Sequence, residues 1–349
     1  MKILPVSNQF PDSFYEVSDA IYADLPYAPE EDRAQIEALL QMQRDKFDLY
    51  LITDSENVRL LVICPKEGRT AYFGYWETKN DLSLCRKAFE QFEGLAAEKG
   101  FENLQGPIHF NTFHRYRLRL QTPSWKMFDR EPVNPSYYPE FLENLGFSVL
   151  HRYESRLIRP EVVADVYQDK KAFLESVRDL PVEFIPLTEE TWLARETEIF
   201  ELINAVFGFN PGFQSISMEE FRLLYNADFA ARLCPHTSVL VAERNSGKLI
   251  ALSLCQPNYT SLNLTEKPLF EKHYPLLKHR TMLAKTQGVH PQYREQGLMN
   301  YLGAYGMLSF KKYYDDSIFC LMRDDNPSLR FTDPVDYEKA EYALYTKAL

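Results

Sequence analysis

Apolar positions recur at helical spacing over residues 12–23 and 29–45, so the chain is expected to open with two helices. Apolar runs at 47–53, 58–64 and 70–76, parted by Ser55-Glu56-Asn57 and Lys66-Glu67-Gly68, predict three strands joined by turns. Over 81–99 the pattern is helical again, with Leu84, Ala88, Phe92 and Leu95 on one stripe and Gly100 as the stop. A strand over 101–110 broken by Gly106-Pro107, a short helix over 139–145 and a strand pair over 147–158 complete the first half.

The second half repeats this order. A strand at 184–187 leads into a helix over 188–206 with Thr188 as its N-cap, and a second helix spans 217–225. Residues 237–243 and 248–256 form a hairpin around Asn245-Ser246-Gly247. A strand at 282–289, a helix at 297–314, a strand at 317–322, a short helix at 326–331 and a strand at 337–347 follow. Two copies of one α/β (α+β) module are therefore expected, as domains 1–158 and 181–349. A charged, helix-compatible linker, 159–180, lies between Pro160 and Pro181.

With 349 residues, 45% hydrophobic and 14% aromatic, the chain can bury a core without disulfides or metals. Its net charge is −11, from 39 basic and 50 acidic residues. Such a surface repels phosphate backbones, so no nucleic-acid partner is expected, and an anionic ligand needs a locally positive pocket. Cys64, Cys85, Cys234, Cys255 and Cys320 form no C-x-x-C pair and read as reduced, buried thiols of a cytoplasmic protein. Residues 1–5 carry no signal-peptide run, and the longest mostly apolar stretch, 301–310, is shorter than the ~20 residues a membrane helix needs. The seven histidines lack metal-site spacing, so no metal is expected.

The stretch Val289-His290-Pro291-Gln292-Tyr293-Arg294-Glu295-Gln296-Gly297-Leu298-Met299 joins a strand to a long helix. First-turn N–H groups and the positive end of the helix dipole make such a junction an anion site, and glycine there admits a close ligand. The same residues also suit a plain strand–turn–helix corner. Arg115, Arg117 and Arg119 alternate with Tyr116, Leu118 and Leu120, which would place three guanidiniums on one strand face, either solvated or binding an anion.

The 289–299 stretch resembles the signature of the GNAT acyltransferase superfamily, Gln/Arg-x-x-Gly-x-Gly/Ala after Val-x-Pro-x-Tyr/Phe. It matches at Val289, Pro291, Tyr293, Arg294 and Gly297 and departs at Met299. Asp325-Asn326-Pro327-Ser328 and the ending Tyr342-Ala343-Leu344-Tyr345 are similar to later family features. The resemblance implies two GNAT-like domains, each a mixed, mostly antiparallel sheet flanked by helices. It implies a second copy that binds acetyl-CoA, or another acyl-CoA, through Gly288, Val289, Arg294, Glu295, Gln296, Gly297, Leu298, Met299 and Asn326. The first copy, with Glu77 and Asp81 at its own junction and no Arg-x-x-Gly, is expected to hold no cofactor.

The implied activity is N-acyl transfer to a primary amine of a small molecule or peptide, by a monomer or homodimer. Asn326 and Asp324 are the candidate catalytic residues, with Asp325 beside them. Asp333 and Pro334 fall where family members often carry a Tyr general acid. Phe209 and Phe213, in the aromatic turn 207–213, are the candidate substrate contacts. Two alternatives stay open: a GNAT-fold binding module without catalysis, and a tandem-GNAT transferase that uses aminoacyl-tRNA.

Overall fold

The computed structural model describes residues 1–159, 175–176, 180–210, 213–333 and 335–349; the expected linker 159–180 lies mostly outside the described residues, as do Pro211, Gly212 and Pro334. The chain divides into two compact units, Met1–Thr122, Arg130–Tyr153 and Ala340–Leu349 in the first and Pro123–Asp129 and Glu154–Lys339 in the second.

In the first unit a strand, β1 (Lys2–Val6), precedes two helices, α1 (Asp12–Tyr22) and α2 (Arg33–Gln43). β2 (Phe47–Thr53), β3 (Val58–Pro65) and β4 (Thr70–Thr78) then extend an antiparallel run in the order β1-β2-β3-β4. A parallel neighbour needs a crossover, and α3 (Leu82–Glu98) supplies it before β5 (Asn103–Gly106) pairs parallel with β4. β6 (Leu118–Arg119) and α4 (Tyr138–Asn144) follow. Phe73 and Trp76 of β4 pack against Ala88, Phe89 and Phe92 of α3 and Tyr138, Phe141 and Leu142 of α4 to make the core. β7 (Ser148–Ile158) begins in this unit and ends in the second.

The second unit repeats the topology. β8 (Val182–Pro186) is followed by α5 (Glu189–Ala194), α6 (Glu196–Phe207), α7 (Met218–Leu224) and α8 (Ala227–Ala231). β9 (Val239–Glu243), β10 (Leu249–Pro257) and, after the short α9 (Phe270–His273), β11 (Thr281–Val289) continue antiparallel from β8. α10 (Leu298–Tyr313) crosses over to β12 (Asp316–Arg323), which is parallel to β11. Each unit is thus a mixed, mostly antiparallel sheet flanked by helices. The last strand is β13 (Glu338–Ala348).

Several expectations change. β1, ahead of the two expected helices, is an exposed edge strand with Pro5, which an edge tolerates. The helix expected from 29 begins at Arg33, because Asp32 caps the N–H groups of Ala34 and Gln35. The single helix over 188–206 breaks at Arg195, whose φ of −121° is not helical. The closing strands also interleave in a way that boundaries at 158 and 181 do not anticipate. Residues 340–349 belong to the first unit, where Tyr345–Ala348 pair with Gly106–Asn103 of β5, and residues 154–158 belong to the second.

The three arginines do not share a face. Arg117 has φ +80°, which breaks the strand alternation. Its guanidinium lies between the rings of Tyr116 and Tyr153, Arg119 lies over Tyr27, and Arg115 donates to the Val133 carbonyl. All five cysteines are buried thiols outside any disulfide. Among the described residues no helix is long and apolar enough to cross a membrane, and no cluster of metal-ligating side chains occurs.

Candidate active site

β11 and β12 lie side by side only at their beginnings. Their ladder runs from Thr281–Asp316 to Ala284–Phe319, although the strands continue to Val289 and Arg323. At that point β11 carries a bulge: Leu254 of β10 faces Thr286 and Cys255 faces Ala284, so Lys285 is left unmatched. Bulges re-aim a strand. Past it, no strand pairing among the described residues joins 286–289 to β12. The result is a wedge between parallel strands, open at their C-terminal ends, where α/β sheets bind ligands.

β11 leads straight into the predicted anion site. Residues Pro291–Gln296 form a 3-10 turn, with His290 accepting from the Gln292 N–H through Nδ1. Burial, then the nearby Lys248 and Arg294, lowers His290 from its ordinary pKa and keeps that acceptor available. Gly297 adopts φ +71°, and a Cβ there would meet nothing within 4 Å. Gly297, as the N-cap, offers no side chain to the first turn of α10, whose Asn300 N–H donates to the Gly297 carbonyl at 3.0 Å. Unsatisfied N–H groups beside open space are what a phosphate needs.

The remaining motif residues divide between support and surface. Arg294 donates through Nη2 to the Val206 carbonyl at 2.8 Å and through Nε to the Val289 carbonyl at 3.3 Å. It thus ties the C-terminus of α6 to the end of β11. Gly288 serves the same junction, since a Cβ there would lie 2.2 Å from Val206 Cγ1. Leu298 is buried, and Met299 packs beside it on the core with Val289 and Leu302. Met299 therefore has a core partner and does not cross the loop. Glu295 and Gln296 are exposed. Phe209 is 75% exposed and lies 5.8 Å from the Arg294 guanidinium, so one candidate substrate residue stands beside the motif. The Phe213 N–H donates to the Asn210 carbonyl at 3.0 Å, just past the end of α6.

Asn326 and Asp324 follow β12, at the end that flanks the wedge. The Asn326 Oδ1 accepts from the Ser328 N–H at 2.9 Å and caps a 3-10 turn over Pro327–Phe331. Asp324 is exposed, and Asp325 pairs with Arg323. Asp333, at the general-acid position implied by the resemblance, pairs with Arg156 at 2.7 Å.

The first unit has the same crossover in a closed form. Past the β4–β5 ladder, the Ile108 N–H donates to the Phe73 carbonyl at 2.8 Å, and His109 stacks on Tyr75 with centroids 3.7 Å apart. A Cβ on Gly74 would lie 2.5 Å from the Ile108 carbonyl oxygen, and one on Gly106 2.5 Å from that of Phe73, so glycine at both positions lets the chain fill its own wedge. The α3 donors are also taken: Asp81 accepts from the N–H groups of Ser83 and Leu84. Glu77 faces inward, accepting from the hydroxyls of Tyr22 and Tyr138 near Arg59 and Arg115. Burial raises its carboxyl above the ordinary value against the pull of both arginines.

No protein-family model and no curated protein matches the sequence. Solved structures do. A tandem GNAT protein from the clavulanic acid biosynthesis pathway aligns over 99% of this chain and 98% of its own, at 12% identity and a TM-score of 0.55. This chain has the tandem GNAT fold. A probable N-acyltransferase from Enterococcus faecalis aligns with this tandem GNAT-fold chain over 99% of it and 72% of the other, at 9% identity and a TM-score of 0.52. A glucosamine N-acetyltransferase region of a fungal multi-domain β-N-acetylglucosaminidase aligns over 99% and 38%, at 12% identity and 0.52. At these identities the likeness concerns the fold.

Proposed function

We propose that the second unit is a cytoplasmic, acyl-CoA-dependent N-acyltransferase, most simply an acetyltransferase, acting on a primary amine of a small molecule or peptide, and that the first unit is non-catalytic. The observation that carries this reading is the open wedge at β11–β12, which runs into the glycine-led start of α10. These residues fit an acyl-CoA: first-turn N–H groups and Arg294 suit a pyrophosphate, and the unpaired edge of 286–289 suits the amides of a pantetheine arm, as an added strand would. Bound there, the thioester supplies an activated acyl group and a thiolate leaving group. Asp324 and Asn326, at the neighbouring strand end, are the polar groups offered to the amine and the thiol side.

Calorimetric titration of acetyl-CoA into the wild type and Gly297→Glu tests this. Micromolar binding that the variant loses is expected, because a carboxylate would enter the phosphate space. Absence of binding to the folded wild type, or equal binding by the variant, overturns the assignment. A binding module without turnover is the second reading, supported by Asp333 being paired with Arg156 where a family general acid would stand. It predicts acetyl-CoA binding with no CoA release across an amine panel.

A further inference from the structure

The chain that leaves α6 is held close to the helix end. The Gly208 N–H donates to the Asn204 carbonyl at 2.9 Å, the Asn210 N–H to that of Phe207 at 2.8 Å and the Phe213 N–H to that of Asn210 at 3.0 Å. A Cβ on Gly208 would lie 2.8 Å from the Asn204 carbonyl oxygen, so glycine is what permits the close exit. The helix end is in turn tied to β11, because Gly288 leaves room for Val206 and the Val206 carbonyl accepts from Arg294 Nη2. Phe209 stands on this anchored backbone with its side chain bare. At 75% it is the most exposed large apolar residue among those described, ahead of Leu276 at 58%.

A single exposed ring needs no ligand to account for it. What marks this one is its neighbour. The Arg294 guanidinium lies 5.8 Å from the ring centroid, within cation–π range. Arg294 gives Nη2 and Nε to the carbonyls of Val206 and Val289, both neutral acceptors, and among the described residues no carboxylate pairs with it. Its charge is therefore left uncompensated, in a chain of net charge −11. Three residues further on, Gly297 opens α10 beside empty space. A flat apolar face, a positive charge and a helix start thus follow one another on one unit. A ligand that matches all three carries a planar base close to phosphates. Stacking of a base needs a ring that is both accessible and fixed, and it tolerates any base because each has a π-face.

We propose that Phe209 is a donor-specificity residue: the adenine ring of an acyl-CoA stacks on it while the diphosphate lies at Arg294 and the start of α10. The site then takes acyl groups carried on CoA and discriminates against the same groups on a bare phosphopantetheine arm, which has no ring to stack. This assigns to the donor a residue that the sequence placed with the acceptor. The inference deepens the acyltransferase reading and rests on it.

The test measures binding of acetyl-CoA, acetyl-phosphopantetheine and ADP to the full chain by calorimetry, for the wild type, Phe209→Ala and Phe209→Trp. Because the ring is exposed, both variants should melt as the wild type does. Phe209→Ala is expected to lose at least about fivefold in affinity for acetyl-CoA and for ADP, the lower end of what one stacked base contributes, and nothing for acetyl-phosphopantetheine. Phe209→Trp should keep both affinities, and its added indole fluorescence should be quenched by acetyl-CoA and ADP but not by acetyl-phosphopantetheine. Unchanged acetyl-CoA affinity in Phe209→Ala overturns the proposal, and a raised KM for the amine in that variant would return the residue to the acceptor. An equal loss for acetyl-CoA and acetyl-phosphopantetheine also overturns it, since the residue would then brace the site and not read the base. If acetyl-CoA fails to bind the wild type, the acyltransferase reading falls. ADP binding that still depends on Phe209 would then leave the base platform standing, and absence of ADP binding would overturn both.

Discussion

Gly288 offers a direct test of how the motif is braced. A methyl placed on it would lie 2.2 Å from Val206 Cγ1, with Val206 Cβ at 3.3 Å and Cγ2 at 3.4 Å. Ordinary carbon contacts lie at ~3.5–4.0 Å. Rotation of Val206 gives no escape, because valine in a helix is nearly confined to one rotamer and its other atoms are already close. Gly288→Ala must therefore push α6 from β11 by more than about 1 Å. Overpacking of this kind costs about 1–3 kcal/mol, or roughly 2–12 °C in melting temperature at this chain size. Val206→Ala alone loses two buried methyls, about 1.6 kcal/mol at ~0.8 kcal/mol each. Combined, the two substitutions relieve the clash, so the double variant should be more stable than their sum by about 1 kcal/mol or more. Urea unfolding of the four proteins measures this coupling. Additive effects, or a Gly288→Ala protein as stable as wild type, would refute the contact. Acetyl-CoA affinity should fall in Gly288→Ala and return in the double variant, because the Val206 carbonyl anchors Arg294.

Two further outcomes follow from burial. His109 is held neutral, its pKa well below the ordinary value through burial and then the charges of Arg115 and His114. The unfolded chain takes up a proton below pH ~6.5 and the folded chain does not, so stability present above that pH is lost on acidification at up to about 1.4 kcal/mol per pH unit. His109→Phe, which keeps the stack on Tyr75, should flatten this acid limb in urea midpoints between pH 8 and 5; an unchanged slope would mean that His109 titrates in the fold. Burial likewise pushes the thiol of Cys64 up to about 11 and those of Cys85 and Cys255 up to about 12. A disulfide reagent at pH 8 should therefore react quickly with no cysteine in the native protein and with all 5 on denaturation; a fast native thiol would contradict the burial.

What could be read beforehand was local. The order strand–crossover–strand, the stop at Gly100 and the Arg294–Gly297 junction are visible because periodicity, capping and turn chemistry act over a few residues. Pairing between distant segments was not. Nothing near residue 340 says that it will pair with β5, and nothing in Pro123–Asp129 says that it joins the second unit, since a strand's partner is chosen by burial across the fold. The three arginines misled because alternation presumes a regular strand, which Arg117 at φ +80° is not. The bulge at Lys285 escaped notice for a related reason: it is defined only by register against β10. Gly74 and Gly106 carried a signal that was available, two glycines in otherwise bulky strand sequence, which reads as close backbone approach.

The duplicated crossover turns one topology to two ends, and backbone accounting explains why. When parallel strands diverge, the groups they cease to offer each other need other partners. In the first unit the chain meets that need itself: Ile108 returns to Phe73, two glycines make room, and Asp81 and Tyr138 occupy the junction donors. In the second unit the glycine on the strand, Gly288, faces Val206 and admits a helix, so its freedom from a side chain serves packing. Arg294 then fastens that helix in place through a carbonyl. The open copy thus spends its conserving contacts around the opening, and the closed copy spends them inside it. That division matches a glycine-led helix start with no N-cap side chain in the second crossover against the Asp81-capped start of α3 in the first.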